Sequence, residues 1–202
     1  MSDLDPTPEQ LEATLKRSVA ALEGARVPYL LGGSLASWAR GGPQTRNDLD
    51  LMVRPEHAEQ ALGALEGAGM KPERPHEEWL LKAWDGDVLV DLIFHPAGLD
   101  LDDEVFARGE RLRVLGMNVD VLSIEDVMTT KLMALDERAI RYESLLQIAR
   151  AVREQIDWGA VRARTASSPF SRPFFVLLEE LEIIGGRPAR ENTVRVIGAA
   201  EK

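Results

Sequence analysis

Apolar positions recur at two periods along this chain, and the point where one gives way to the other divides it. Leu11, Leu15, Val19 and Leu22 share one helical face. Thr7-Pro8-Glu9-Gln10 ahead of them offers an N-cap, a proline at the first helical position and a glutamine able to reach back to the cap. A helix is therefore predicted from Pro8 to Gly24. Val27 to Leu31 is a short apolar run and reads as a buried strand, with Pro28 near its start. Gly32-Gly33-Ser34 turns the chain, and Leu35 to Arg40 reads as a short helix stopped by Gly41-Gly42. Asn47 to Val53 reads as a strand, and Pro55 to Gly67 as a helix that buries Ala58, Ala61, Leu62 and Leu65. Residues 67–76, with two prolines, read as loop. Trp79 to Trp84 and Asp87 to Phe94 form a hairpin about Asp85-Gly86. Asp100 to Glu104 starts a short helix or loop, and Leu112–Leu115 and Asn118–Leu122 are two further strands around Gly116.

From Ser123 onward the period is helical. Ser123-Ile124-Glu125-Asp126 is a cap with acids in the first turn, where the helix dipole favours them. That helix continues through Lys131 to Ala134, and Ser144–Glu154, Trp158–Thr165 and Phe170–Ile183 follow as further helices. The expected fold is thus α/β (α+β): a sheet domain over residues 1–122, an all-helical domain over 123–184 and a loosely held tail over 185–202.

Composition narrows the function classes. The 202 residues include no cysteine, which excludes disulfides, thiolate metal sites and cysteine nucleophiles and fits a reducing cytoplasm. No signal-peptide pattern opens the chain, and no apolar run approaches the roughly 18–20 residues of a membrane span. A cytoplasmic protein without membrane contact is expected. The net charge of −10 argues against a protein that coats nucleic acid. Its distribution qualifies this: residues 1–127 carry a net of −12 and residues 128–202 a net of +2, mostly from arginine. An acidic, metal-collecting site could lie beside a flank able to touch phosphates.

The candidate chemistry lies between Gly32 and Val53. Asp48 and Asp50 alternate with Leu49 and Leu51, so on a strand both carboxylates project from one face while the leucines enter the core. Parallel carboxylates are costly without a proton or cation, and their oxygen ligands suit Mg²⁺. Asp91 is the single acid within the apolar run Val88 to Phe94. Were that strand beside the first, Asp91 would join the pair, and the three could hold two magnesium ions about 4 Å apart. Asp91 would also be placed to take a proton from an attacking hydroxyl. Gly33 allows close backbone approach to a triphosphate and Ser34 adds a hydroxyl. Arg46 could clamp a phosphate or pair with a nearby acid. His57, His76 and His95 show no metal-ligand spacing; His95, directly after the Asp91 strand, could line the site or be a polar strand-end residue. The four tryptophans read as packing, with Trp84 beside the hairpin turn the one that could stack on a base.

Gly33-Ser34, the spacer and Asp48-Leu49-Asp50-Leu51, with Asp91 as third acid, resemble the signature of the DNA polymerase β-like nucleotidyltransferase superfamily over residues 27–94. With Arg46 ahead of the aspartates and a lysine on the first helix after the sheet, the layout is similar to the AbiEii/MenT toxins of toxin–antitoxin systems. The resemblance implies transfer of a nucleoside monophosphate from an NTP, two Mg²⁺ ions, the tRNA 3′ end as acceptor and a neutralising antitoxin. It makes Lys131, on a helix face with Val127, Met128, Leu132 and Leu135, the triphosphate-binding lysine. Where many relatives carry Arg-Asp-x-x-Asp this chain has Arg141-Tyr142-Glu143-Ser144-Leu145, with Glu143 the one acid there. The alternative acceptor is a small hydroxylated molecule of the aminoglycoside or lincosamide type, or a protein side chain. An acidic sheet domain suits a cationic aminoglycoside. A non-catalytic module that kept the fold is a third reading, and the intact Gly-Ser and acids stand against it.

Overall fold

The computed structural model describes residues 6–44, 48–138 and 140–185. Helix α1 (Pro8–Gly24) begins as the cap pattern requires: Thr7 N–H donates to the Gln10 side chain at 2.7 Å, and Gln10 N–H donates to Thr7 Oγ1 at 3.3 Å. The chain then enters a mixed seven-stranded sheet of order β3-β4-β5-β2-β1-β7-β6. Strand β1 (Tyr29–Leu31) runs antiparallel to β2 (Leu49–Val53) and parallel to β7 (Met117–Val121). Strand β5 (Val88–Ile93) lies parallel to β2 on the other side and antiparallel to β4 (Leu80–Asp85). The edges are β3 (Lys71–Glu73) and β6 (Glu110–Val114).

Strand β3 lies within a stretch whose sequence reads as loop. Lys71 and Glu73 are exposed and Pro72 lies between them, so no apolar alternation marks the strand. It forms because β4 offers a free edge, and an edge strand tolerates a proline that has no N–H to give. Several boundaries also move: β1 starts at Tyr29 rather than Val27, β6 at Glu110 rather than Leu112, and the last described helix ends at Glu180 rather than Ile183. Helix α2 (Gly33–Trp38) starts two residues earlier than the glycines suggest. The expected helix after Pro55 opens with a 3-10 turn, Pro55–His57, before α3 (Ala58–Gly67). Helix α6 (Tyr142–Val152) starts at Tyr142 and ends in a 3-10 turn at Arg153–Gln155.

Helices α1 and α3 pack on each other and reach β5, with α3 also meeting β4. Leu49, Leu51 and Val53, alternating with Asp50 and Met52, are fully buried. The short α4 (Asp103–Ala107) leads into β6. Helix α5 (Ile124–Met133) then touches α2, α6 and α7 (Trp158–Arg164), and α8 (Ser171–Glu180) buries Phe174 and Phe175. One apolar cluster runs through all of these, from Leu11 to Ile183.

Asp126, in the first turn of α5, is fully buried. It accepts hydrogen bonds from Arg108 at 3.2 Å, Arg164 at 2.7 Å and the Ser123 hydroxyl at 2.8 Å. Its sequence role as a helix-dipole acid is therefore the smaller part of its work. Among the described residues no helix is long and apolar enough to cross a membrane.

Candidate functional site

Strand β1 delivers the chain to a glycine pair that touches β2 side chains. Gly32 N–H donates to the Asp50 carbonyl at 2.8 Å. A Cβ on Gly32 would stand 2.5 Å from Met52 Cε, so this residue is pressed against the strand. Gly33 has φ +58°, in the left-handed region, and a Cβ there would lie 1.7 Å from Asp50 Oδ2. Glycine is thus required twice over at position 33, by backbone conformation and by the carboxylate beneath it. The backbone of the next residue, Ser34, acts on Asp50 in favour of its charged form.

The parallel register of β2 and β5 sets Asp50 directly opposite Asp91. Asp48 is exposed, one residue ahead of β2. Burial pushes the Asp50 carboxyl up to about 7, with the charges of Asp91 and Asp48 adding to it; Lys131 and the Ser34 amide oppose the rise. Burial also raises Asp91, as do the Asp48 and Glu73 charges, with Lys82 opposing. Asp48, though exposed at its surface, is raised by partial desolvation against the pull of Lys82. Lys131 is lowered by burial, and Asp50 opposes the shift. Its Nζ lies 3.5 Å from Ser34 Oγ.

Five of the expected residues are therefore brought together: Gly33, Ser34, Asp50, Asp91 and Lys131. Asp48 acts on both other acids through its charge. Arg46 lies outside the described residues. Trp84 is turned to other work, since its Nε1 donates to Glu73 Oε2 at 2.7 Å.

Two openings flank the Lys131–Ser34 contact. The larger, about 570 Å³, runs from Gly33, Asp50 and Lys131 past Met52 to Trp79 and His95, with Asp136 also in its wall. The smaller, about 190 Å³, is lined by Ser34, Ser37, Gln44, Lys131, Ser144 and Gln147. Sequence reasoning missed Trp79, which is 44% exposed, whereas His95 lines the larger opening, the first of the two places its position after the Asp91 strand allows. It also missed Lys82, whose Nζ lies 3.7 Å from Asp91 Oδ1. A lysine on the strand pairing with the acid-bearing strand is a signal only once the register is known.

The residues fit a divalent cation. Asp91 Oδ1 is buried without a hydrogen-bond partner, and all three acids are shifted toward the protonated form, because desolvation and mutual repulsion outweigh the pull of Lys82 and Lys131. Among the described residues no three acidic or imidazole groups stand close enough to cage an ion by themselves. Mg²⁺ is commonly held by one or two carboxylates together with substrate phosphates, so an all-protein cage is not needed.

The profile of a family described as uncharacterised nucleotidyltransferase matches residues 8–182. The chain belongs to this nucleotidyltransferase family. No curated relative matches at the sequence level. Among solved structures, this nucleotidyltransferase is similar to the antibiotic-resistance factor ANT(2'')-Ia in solution (TM-score 0.57, 16% identity, 87% of this chain and 98% of that one). The same factor in complex with adenylyl-2''-tobramycin gives a TM-score of 0.56 at 19% identity, covering 82% of this chain and 98% of that one. An antigenic nucleotidyltransferase-like protein from Paracoccidioides brasiliensis gives 0.51 at 18% identity, over 84% of this chain and 91% of that one. At these identities the likeness is one of fold. The mixed sheet with helices following it is the nucleotidyltransferase fold, and family and fold together make the chain a transferase that uses an NTP.

Proposed function

We propose that this nucleotidyltransferase moves a nucleoside monophosphate from an NTP to an acceptor hydroxyl, with Asp48, Asp50 and Asp91 holding Mg²⁺, in the two-ion form. The observation that carries the reading is Asp50 opposite Asp91 in register, beneath Gly33-Ser34 and beside Lys131. When bound, magnesium supplies charge neutralisation for the phosphates and for the pyrophosphate that leaves. The acceptor oxygen attacks the α-phosphorus, the bond to the bridging oxygen of the β-phosphate breaks, and pyrophosphate departs. Asp91 takes the acceptor's proton; its raised pKa brings it toward the range a general base needs. Ser34 and Lys131 hold the leaving phosphates, and Arg46 adds a further phosphate contact. The acids belong to a catalytic domain of residues 1–122 and Lys131 to a helical domain of 123–184, with 185–202 as a tail.

Two acceptors have support. The 570 Å³ cleft has the volume of a small-molecule site, Asp50 and Asp136 in its wall and an exposed tryptophan as a ring platform. It favours a compact, hydroxylated, amine-bearing acceptor of the kind aminoglycosides and lincosamides represent. The second reading is the tRNA 3′ end, as an AbiEii/MenT-type toxin with a cognate antitoxin in the cytoplasm. It is favoured by exposed Arg141, Arg150 and Arg172 on or beside α6 and α8, within a region of net charge +2.

The test is incubation with each labelled NTP and Mg²⁺, in parallel with tRNA and with a panel of aminoglycosides and lincosamides. Label should enter one acceptor class and be lost in Asp50→Ala. RNA transfer should also weaken steeply with salt. If label enters neither pool, or enters equally with Asp50→Ala, the proposal is wrong.

A further inference from the structure

Four strands of the sheet each place one residue at the same level. Glu73 on β3 faces Lys82 on β4, Lys82 faces Asp91 on β5, and Asp91 faces Asp50 on β2. Cross-strand partners lie side by side on one face of a sheet, so this is a row of charged residues leading from the sheet edge into the site, with Lys82 the one cation among three acids. Lys82 and Asp91 are both largely shielded, their side chains 24% and 15% exposed. At 3.7 Å the ammonium balances the Asp91 charge, yet Oδ1 is left without a hydrogen bond. The other charges that act on Asp91, those of Asp48 and Glu73, are negative. Lys131, the second cation of the site, acts on Asp50 instead. On the far side of Lys82, Glu73 is fixed by the Trp84 indole through Oε2.

We propose that Lys82 is a resident counter-cation of the divalent-metal site: it neutralises Asp91 while no ion is bound and yields to Glu73 when one arrives. The inference rests on the reading of Asp91 as a metal ligand. Its physical content is competition. A divalent ion approaching Asp91 must displace a positive charge already there, so Lys82 raises the metal concentration at which the site fills. Glu73, held at the next register position, gives the displaced ammonium a second carboxylate and limits what the displacement costs. Lys82 is thus a positioning residue for the ligand set, and its effect on metal affinity is opposite in sign to that of a merely structural ion pair.

Titration calorimetry with Mn²⁺ alone, without nucleotide, on the full chain separates these cases. Lys82→Met should bind Mn²⁺ about tenfold more tightly than wild type, the size of one partly shielded charge interaction. It should also unfold at lower temperature without metal and recover with Mn²⁺. Lys82→Gln serves the same comparison if the methionine variant does not fold. Glu73→Gln, which removes the second seat, should bind Mn²⁺ a few-fold more weakly. Unchanged or weaker binding by both Lys82 variants overturns the inference while leaving the metal site intact. If Asp91→Asn binds as wild type does, Asp91 is no ligand, and the reading of the site falls together with the inference.

Discussion

Replacing Gly33 by alanine places a methyl carbon where the nearest atom, Asp50 Oδ2, stands at 1.7 Å, with Asp50 Cγ at 2.5 Å and Cβ at 3.0 Å. No rotation of the carboxylate alone clears all three, so either β2 or the turn must shift. The left-handed backbone at φ +58° costs a non-glycine residue about 1–2 kcal/mol by itself. Displacing Asp50 also separates it from the Ser34 amide, a polar contact of about 0.5–1.5 kcal/mol for a carboxyl raised to about 7. The two together give about 1.5–3.5 kcal/mol of destabilisation, which in a chain of this size lowers Tm by about 3–14 °C. Urea unfolding and a thermal scan measure it, and Mn²⁺ calorimetry should show weakened binding in the surviving folded protein. Gly63→Ala is the control. Gly63 lies inside α3, where an added methyl would meet nothing within 4 Å and no positive φ stands in the way, so the same change should raise stability by up to about 1 kcal/mol. If Gly33→Ala unfolds within about 0.5 kcal/mol of wild type and binds metal normally, the close contact between the glycine turn and Asp50 is not what fixes the site.

Three further outcomes are expected. Asp50 binds its proton more tightly in the folded state, up to about 7, so the folded chain holds more protons than the unfolded one between the usual carboxylate range and pH 7. Its contribution to metal-free stability must then fall as pH rises through that window, while Mg²⁺ affinity rises as the proton it displaces is lost. Asp50→Asn should flatten both pH profiles, and identical slopes in the two proteins would contradict the assignment. Lys131→Met should raise the KM for NTP and lower kcat/KM by about a hundredfold, as loss of a phosphate-clamping charge does, and an unchanged KM would remove Lys131 from the triphosphate site. Asp126→Ala takes away the shared partner of Arg108 and Arg164, each about a third exposed, and should cost about 1–3 kcal/mol in urea unfolding; a change under about 0.5 kcal/mol would show that the arginines find other partners.

The parts of the fold that the sequence foretells are those with a local period. Leu49-Asp50-Leu51 declares its inward and outward faces, and the capping box of α1 and the Asp85-Gly86 turn are written in adjacent residues. Gly33-Ser34, Asp50 and Asp91 are legible for the same reason: an acid inside an apolar strand, or a glycine pair at its end, stands out from its neighbours. What escapes is whatever depends on partners distant in the chain. Strand β3 has no pattern of its own and exists by pairing with β4. Lys82 and Glu73 enter the site by cross-strand register, and Trp79 by the way the end of β5 meets the end of α5 across a cleft. Asp126 reads locally as a helix-start acid, and only packing brings two arginines from either side of it in sequence to its carboxylate.

That shared carboxylate bears on how the protein can be taken apart. Arg108 comes from the chain just before β6, and Asp126 and Arg164 from the helices after the sheet. A cut at residue 122 would send Arg108 into one fragment and its acid into the other, each half inheriting an incomplete ion cluster along with an open apolar face. The helical segment is therefore no interchangeable cassette. A graft from a relative would take only if the donor also brought an acid at the start of its first helix, and a split-protein reporter joined at this point would reassemble through one buried anion.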